Sequence, residues 1–129
     1  MVKRKPVVAI VDDDPRLIES LENLLESAGY TTRSFSSAAS LLADGPTGID
    51  LLITDIGMPG MDGFELRDVV QKARPELPVF LVTGRHEIAD QHRARGIGEF
   101  FRKPFDAPAL LAAIARALPD ETLEVDDAT

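Results

Sequence analysis

The strongest constraint on the fold is a rhythm of short apolar runs, each closed by polar residues and separated by segments of helical spacing. The runs are VVAIV before Asp12, LLI shortly before Asp55, VFLV before Thr83, and FF before Arg102 and Lys103. Runs this short, bounded by turn residues and without polar alternation, read as strands covered on both faces. After the first run, Asp14 offers an N-cap oxygen and Pro15 a first helical position. Leu17, Ile18, Leu21, Leu24, Leu25 and Ala28 then recur at helical spacing, and Gly29 supplies a stop. Tyr30 to Phe35 reads as a second, more polar strand, and Ser36 or Ser37 caps a short helix carrying Leu41 and Leu42.

The loop IGMPGMDG follows the third strand and opens a helix expected to turn Phe64, Leu66, Val69, Val70 and Ala73 inward, until Pro75 and Pro78 break it. A weaker helix is expected around Ile88 to Arg95, and Asp106 is expected to cap a last one bearing Leu110, Leu111, Ile114 and Leu118. Five strands alternating with five helices imply an α/β domain, with right-handed crossovers and a doubly wound parallel sheet. In such sheets ligands bind beyond the carboxyl ends of the strands. Asp12, Asp13, Asp55, Thr83 and Lys103 all fall at that edge, although more than ninety positions separate the first from the last.

Composition narrows the classes. A chain of 129 residues is one ordinary domain, here residues 1–118, followed by an acidic tail over 119–129 that is expected to fray. The net charge is −8, and five of the acids (Asp120, Glu121, Glu124, Asp126, Asp127) lie in the last ten residues. Setting them aside leaves −3, so the domain is not expected to bind nucleic acid directly. No apolar run is long enough for a bilayer, so no membrane partner is expected. The opening MVKRKPVVAIVDDD ends its five-residue apolar stretch in three acids, which reads as a strand rather than a leader, and a cytoplasmic location is expected. The absence of cysteine excludes thiolate metal sites and disulfides.

Three carboxylates at one strand edge repel one another, by roughly 4 kcal/mol per pair at about 4 Å and an effective dielectric near 20. Such a cluster calls for a cation or for raised pKa values. Hard oxygen ligands in a site that also handles phosphate favour Mg²⁺. Three carboxylates, one Mg²⁺ and the Lys103 ammonium are neutral in sum, and a neutral site admits a phosphoryl group that a bare acidic one repels. Asp55, central and followed by a glycine-rich loop, is placed as a nucleophile that can form an acyl phosphate. Thr83 and Lys103 are placed to contact the phosphoryl oxygens. Taken singly these are weak signals: a DDD turn is usually a solvated helix start, and a threonine after a strand is usually structural.

In the stretches VVAIVDDDP, DLLITDIGMPGMDGFEL, PVFLVTGR and EFFRKPFD, in that order, the chain resembles the receiver domains of bacterial two-component response regulators over residues 6–118. The resemblance implies a (βα)5 domain with strand order 2-1-3-4-5, in which Asp55 accepts a phosphoryl group from the phosphohistidine of a sensor histidine kinase or phosphotransfer protein. It implies that Asp13, Asp55 and the Gly57 main-chain carbonyl bind Mg²⁺ directly, while Asp12 assists through water. It further implies that Thr83 is the switch hydroxyl, that Phe100 is the aromatic that changes rotamer with it, and that Lys103–Pro104 is a cis peptide.

Within that family pattern, the stretch between Thr83 and Lys103 is about two residues short, and the segment from Gly84 to Gly98 is expected to be short, mobile or irregular. Gly57 and Arg85 stand two residues past Asp55 and Thr83, where the family tunes dephosphorylation. His86 and His92 read as surface residues, and Met58 and Met61 as packing or lid residues. No effector domain follows residue 118 in this sequence, so either output is expected to pass through a downstream effector protein or the chain is an excised or single-domain regulator. Three other readings compete. A flavin or nucleotide binder would need a glycine- or hydroxyl-rich loop where Asp12, Asp13 and Asp14 stand. An Asp-nucleophile phosphohydrolase would place an acid–base carboxylate at Gly57. A phosphorylation-independent docking module would not need the complete acceptor set.

Overall fold

The computed structural model describes residues 5–84, 100–104 and 106–118. Strands β1 (Val7–Val11), β2 (Thr31–Phe35), β3 (Leu51–Asp55), β4 (Val79–Thr83) and β5 (Phe100–Arg102) are joined by helices α1 (Pro15–Ser27), α2 (Ala38–Asp44) and α3 (Gly63–Ala73), and α4 (Ala107–Ala117) follows β5. The strands pair in parallel in the order β2-β1-β3-β4-β5, as the sequence suggested. The helix expected around Ile88 to Arg95, the expected irregularity of that stretch, Arg85, both histidines and the acidic tail lie outside the described residues.

Local chemistry sets the element ends. Asp14 accepts from the Arg16 amide at 2.9 Å to start α1, with Pro15 in the first turn. Gly29 takes φ +99° just beyond the helix, a conformation that costs glycine little. Ser37 is the residue that caps α2, accepting from the Ser40 amide at 3.1 Å. At α3, Asp62 and Glu65 form a reciprocal capping box with both bonds at 2.9 Å. Asp106 occupies the N-cap position of α4 but makes no side-chain cap bond there, so that expectation holds for position and not for chemistry.

The sheet divides the core into two layers. On one face, Ala9, Val11, Leu52, Ile56, Val79 and Leu81 pack with Ala38 and Leu41 of α2 and with Leu66 and Val70 of α3. On the other, Val8, Ile10, Leu51, Ile53, Phe80 and Val82 pack with Leu21 and Leu25 of α1 and with Leu110, Ala113 and Ile114 of α4. β1, β3 and β4 are buried along nearly their whole length because helices cover both faces. Two inward assignments on α3 are corrected: Val69 is 41% exposed and Ala73 is also exposed. The apolar stripe of α3 is narrower than its composition suggests, with Leu66 and Val70 one turn apart carrying the seam.

At the amino ends of the strands, Arg74 Nη1 donates to the carbonyls of Pro46 (2.9 Å) and Ile49 (2.7 Å). This ties the end of α3 to the loop that feeds β3. Asp50 accepts from the Val7 amide at 2.7 Å, and its own amide donates to the Val7 carbonyl at 2.8 Å. That end of the sheet is pinned by these Arg74 and Asp50 bonds, and the opposite end carries Asp12, Asp13, Asp55 and Lys103.

Candidate functional site

Asp12, Asp13, Asp55 and Thr83 stand at the carboxyl ends of β1, β3 and β4, and Lys103 stands just beyond β5. Asp12 follows β1 and is held there by its amide bond to the Phe35 carbonyl (3.1 Å), with its side chain buried at 2% exposure. Its Oδ1 accepts from the Asp14 amide at 2.8 Å, while Asp13 is exposed. Asp55 is the last residue of β3, 7% exposed, and Thr83 is the last of β4, 1% exposed. Register fixes their spacing: Asp55 pairs with Val82, and Thr83 with Arg102. The Lys103 amide donates to the Thr83 carbonyl at 2.8 Å, so β4 itself positions the residue that follows β5.

The Lys103 ammonium reaches back across the edge to Asp12 Oδ2 at 3.0 Å and Asp55 Oδ1 at 3.2 Å. The Lys103–Pro104 bond is cis, as the sequence resemblance implied. One ammonium thus serves two buried carboxylates, with a third, Asp13, close by. Carboxylate oxygens of Asp12, Asp13 and Asp55 lie within 4.8 Å of one another. Burial first, and then the charges of Asp12 and Asp13, pushes the Asp55 carboxyl above its ordinary value despite the opposing pull of Lys103. Burial alone would lower the Lys103 pKa, but its hydrogen bond to Asp12 and the charges of Asp55 and Asp12 carry it upward.

These residues fit a divalent cation. The donors are hard carboxylate oxygens gathered within 4.8 Å of one another, and the three carboxylates outnumber the one Lys103 ammonium that reaches Asp12 and Asp55. Both Asp12 oxygens already accept, one from Asp14 and one from Lys103, so Asp13 and Asp55 are the carboxylates better placed for direct ligation. Gly57 lies in the loop directly after β3, beside Asp55 in sequence. Phe100 is half-buried against the α2/α3 layer, the same layer that receives Leu81 two residues before Thr83. Met58 is buried in that layer and Met61 packs against it, which makes both packing residues.

Two neighbours of Asp55 were not singled out from the sequence. Thr54 is fully buried, with its hydroxyl donating to the Asp55 carbonyl at 3.0 Å. Gly63 abuts that same carbonyl from the first turn of α3. The available signals were a hydroxyl inside the apolar run LLIT and a glycine at a helix start.

The sequence pattern described as Response regulator receiver domain matches residues 8–115. This chain belongs to that family. The receiver is 40% identical over 115 residues to the C4-dicarboxylate transport transcriptional regulatory protein DctD of Rhizobium meliloti, covering 87% of this chain and 25% of DctD. It is 35% identical to the transcriptional regulatory protein FixJ of Azorhizobium caulinodans over 86% of this chain and 54% of FixJ. It therefore spans about a quarter to a half of these relatives' lengths. Among solved structures, it superposes on a CheY-like receiver domain protein from Methanospirillum hungatei with TM-score 0.79 and 30% identity, covering 94% and 98% of the two chains. Chemotaxis response regulator CheY4 of Vibrio cholerae gives 0.76 and 27%, covering 89% and 100%. No helix among the described residues is long and apolar enough to cross a membrane.

Proposed function

We propose that Asp55 of this receiver is the phosphoacceptor, taking a phosphoryl group from the phosphohistidine of a sensor histidine kinase or phosphotransfer protein. The observation that carries this reading is the Lys103 ammonium, held at 3.0 and 3.2 Å between the buried carboxylates of Asp12 and Asp55. In the transfer, an Asp55 carboxylate oxygen attacks phosphorus in line with the departing imidazole nitrogen. A P–O bond forms as the P–N bond breaks, and the bonding pair leaves with the imidazole. Lys103 offsets the charge on the phosphoryl oxygens, and the Thr83 hydroxyl donates to one of them. Asp13, Asp55 and the Gly57 carbonyl would hold Mg²⁺, with Asp12 assisting through water, and the bound ion would supply further charge neutralisation. The chemistry is the domain's own phosphorylation and hydrolysis, with no turnover of a separate substrate.

The switch runs from Thr83 to Phe100. Drawing the Thr83 hydroxyl toward a phosphoryl group opens space in the α2/α3 layer, where Phe100 already packs. The altered face is then read by a downstream effector, in a cytoplasmic protein whose domain is residues 1–118. The complete acceptor set weighs against a phosphorylation-independent docking module.

The test is intact mass after exposure to Mg²⁺ and a small-molecule acyl phosphate. Wild type is expected to gain one phosphoryl group and Asp55→Asn none. An unmodified wild type that still binds Mg²⁺ would sink the proposal.

A further inference from the structure

The Asp55 carboxylate can be no better placed than the main chain that carries it. That main chain is gripped from two sides at a single atom. Thr54 Oγ1 donates to the Asp55 carbonyl oxygen at 3.0 Å. From α3, Gly63 approaches so closely that a Cβ on it would stand 2.4 Å from the Asp55 carbonyl oxygen, 2.9 Å from Ile56 Cα and 3.1 Å from the Asp55 carbonyl carbon. The Gly63 amide donates to the Ile56 carbonyl at 2.9 Å, and the Ile56 amide donates to the Val82 carbonyl at 2.9 Å. The strand end is therefore bonded laterally to β4 and closed from above by the first turn of α3.

Thr54 is the informative member. It shares its face of β3 with Leu52 and Ile56, both in the apolar α2/α3 layer, where valine would fill the same volume without a hydroxyl to satisfy. A buried hydroxyl is costly unless bonded, and the bond recorded for this one goes to the carbonyl of the nucleophile. Gly63 acts by what it lacks, since any side chain there would displace α3 or the Asp55 peptide.

We infer that Thr54 and Gly63 are positioning residues that clamp the Asp55 peptide, fixing the carboxylate against Lys103 and the cation site. The inference rests on the phosphoacceptor reading of Asp55. Neither residue touches the phosphoryl group; both act through the peptide plane of Asp55. Small displacements of a nucleophile cost rate steeply, so the effect falls on the transfer step rather than on donor binding.

The test compares Thr54→Val, Thr54→Ser and Gly63→Ala in the full chain. Each is measured for melting temperature, for Mg²⁺ affinity by calorimetry, and for adduct formation at saturating acyl phosphate. Thr54→Val is expected to melt close to wild type, yet to form adduct about fivefold more slowly and bind Mg²⁺ severalfold more weakly. The donor concentration for half-maximal rate stays unchanged, as for the loss of one orienting hydrogen bond. Thr54→Ser is expected to restore both rate and affinity. Gly63→Ala is expected to show the larger loss, with a lower melting temperature. Wild-type rate and Mg²⁺ affinity in Thr54→Val would overturn the inference, as would a loss that Thr54→Ser does not restore. Failure of the underlying reading looks different, because wild type itself would then form no adduct.

Discussion

Replacing Asp55 with asparagine removes the charge while keeping the shape, and in the absence of divalent cations it should stabilise the fold. The geometry gives the size. With an effective dielectric near 20, like charges 4.8 Å apart repel by about 3.5 kcal/mol, and Asp55 faces two of them, Asp12 and Asp13. Its attraction to Lys103 at 3.2 Å is about 5 kcal/mol on the same scale. The two repulsions exceed the attraction by about 2 kcal/mol, and burial of the charge adds to the penalty. Asp13 is exposed, so solvent screens its share and the charge terms nearly cancel; burial of the Asp55 carboxylate, the largest cause of its raised pKa, then leaves a net gain for Asp55→Asn of about 1–2 kcal/mol.

Near the midpoint this corresponds to a rise in melting temperature of roughly 3–8 °C for a domain of this size. The pH dependence follows from the direction of the shift. The folded pKa of Asp55 is raised, so the penalty in wild type is fully present above that value and absent below the ordinary carboxylate range. The advantage of Asp55→Asn should be constant around pH 7–8 and shrink on acidification, disappearing near pH 4. Calorimetric melts in chelator, run as a pH series, provide the assay. A second series with millimolar Mg²⁺ should reverse the order, because the cation stabilises wild type by mass action and asparagine ligates it poorly. Equal or lower stability of Asp55→Asn in chelator at pH 7, or an advantage that grows on acidification, would refute the electrostatic reasoning.

Lys103→Met leaves Asp12 and Asp55 buried without their counter-ion and should cost about 2–4 kcal/mol in chelator, read from urea midpoints, with Mg²⁺ recovering part of it. The raised Lys103 pKa makes its stabilisation fully present below the ordinary lysine value, near 10.5, and lost only as pH climbs through the folded value. Neutral and mildly alkaline melts of wild type should therefore show no contribution from its titration. Arg74→Ala removes two bonds to the Pro46 and Ile49 carbonyls at the far end of the sheet. It should lower stability by about 2–3 kcal/mol while leaving the rate of adduct formation at wild-type level, which the same mass assay reads directly.

The sheet was legible in the sequence because its central strands are buried on both faces and so appear as unbroken apolar runs. The run ends marked the site for the same reason: a carboxylate cannot sit inside such a strand, so Asp12 and Asp55 had to stand where the pairing stops. The cap at Asp14 was readable, and that of α2 down to Ser36 or Ser37, because one side chain and one amide suffice for each. The α3 stripe was harder. Val69 carries the same hydrophobicity as Val70, but neighbouring positions face about 100° apart around a helix, and the seam set by Leu66 and Val70 leaves Val69 41% exposed.

The clamp at Asp55 depends on a distance between a helix start and a strand end, which no spacing rule encodes. Likewise, Arg74 reads as an ordinary surface cation at a helix end. Its role depends on carbonyls of a loop 25 and 28 residues earlier in the chain.

The bond between Lys103 and Asp12 spans 91 positions of the chain. During synthesis, Asp12, Asp13 and Asp55 all emerge from the ribosome well before Lys103 does. A nascent chain that stops short of β5 carries the acids without their ammonium and lacks the strand that places it. Closing so long a loop is worthwhile only once β4 and β5 can pair. The charged site is consequently assembled only in a chain that has reached β5: shorter translation products carry the aspartates without the ammonium that pairs with Asp12 and Asp55.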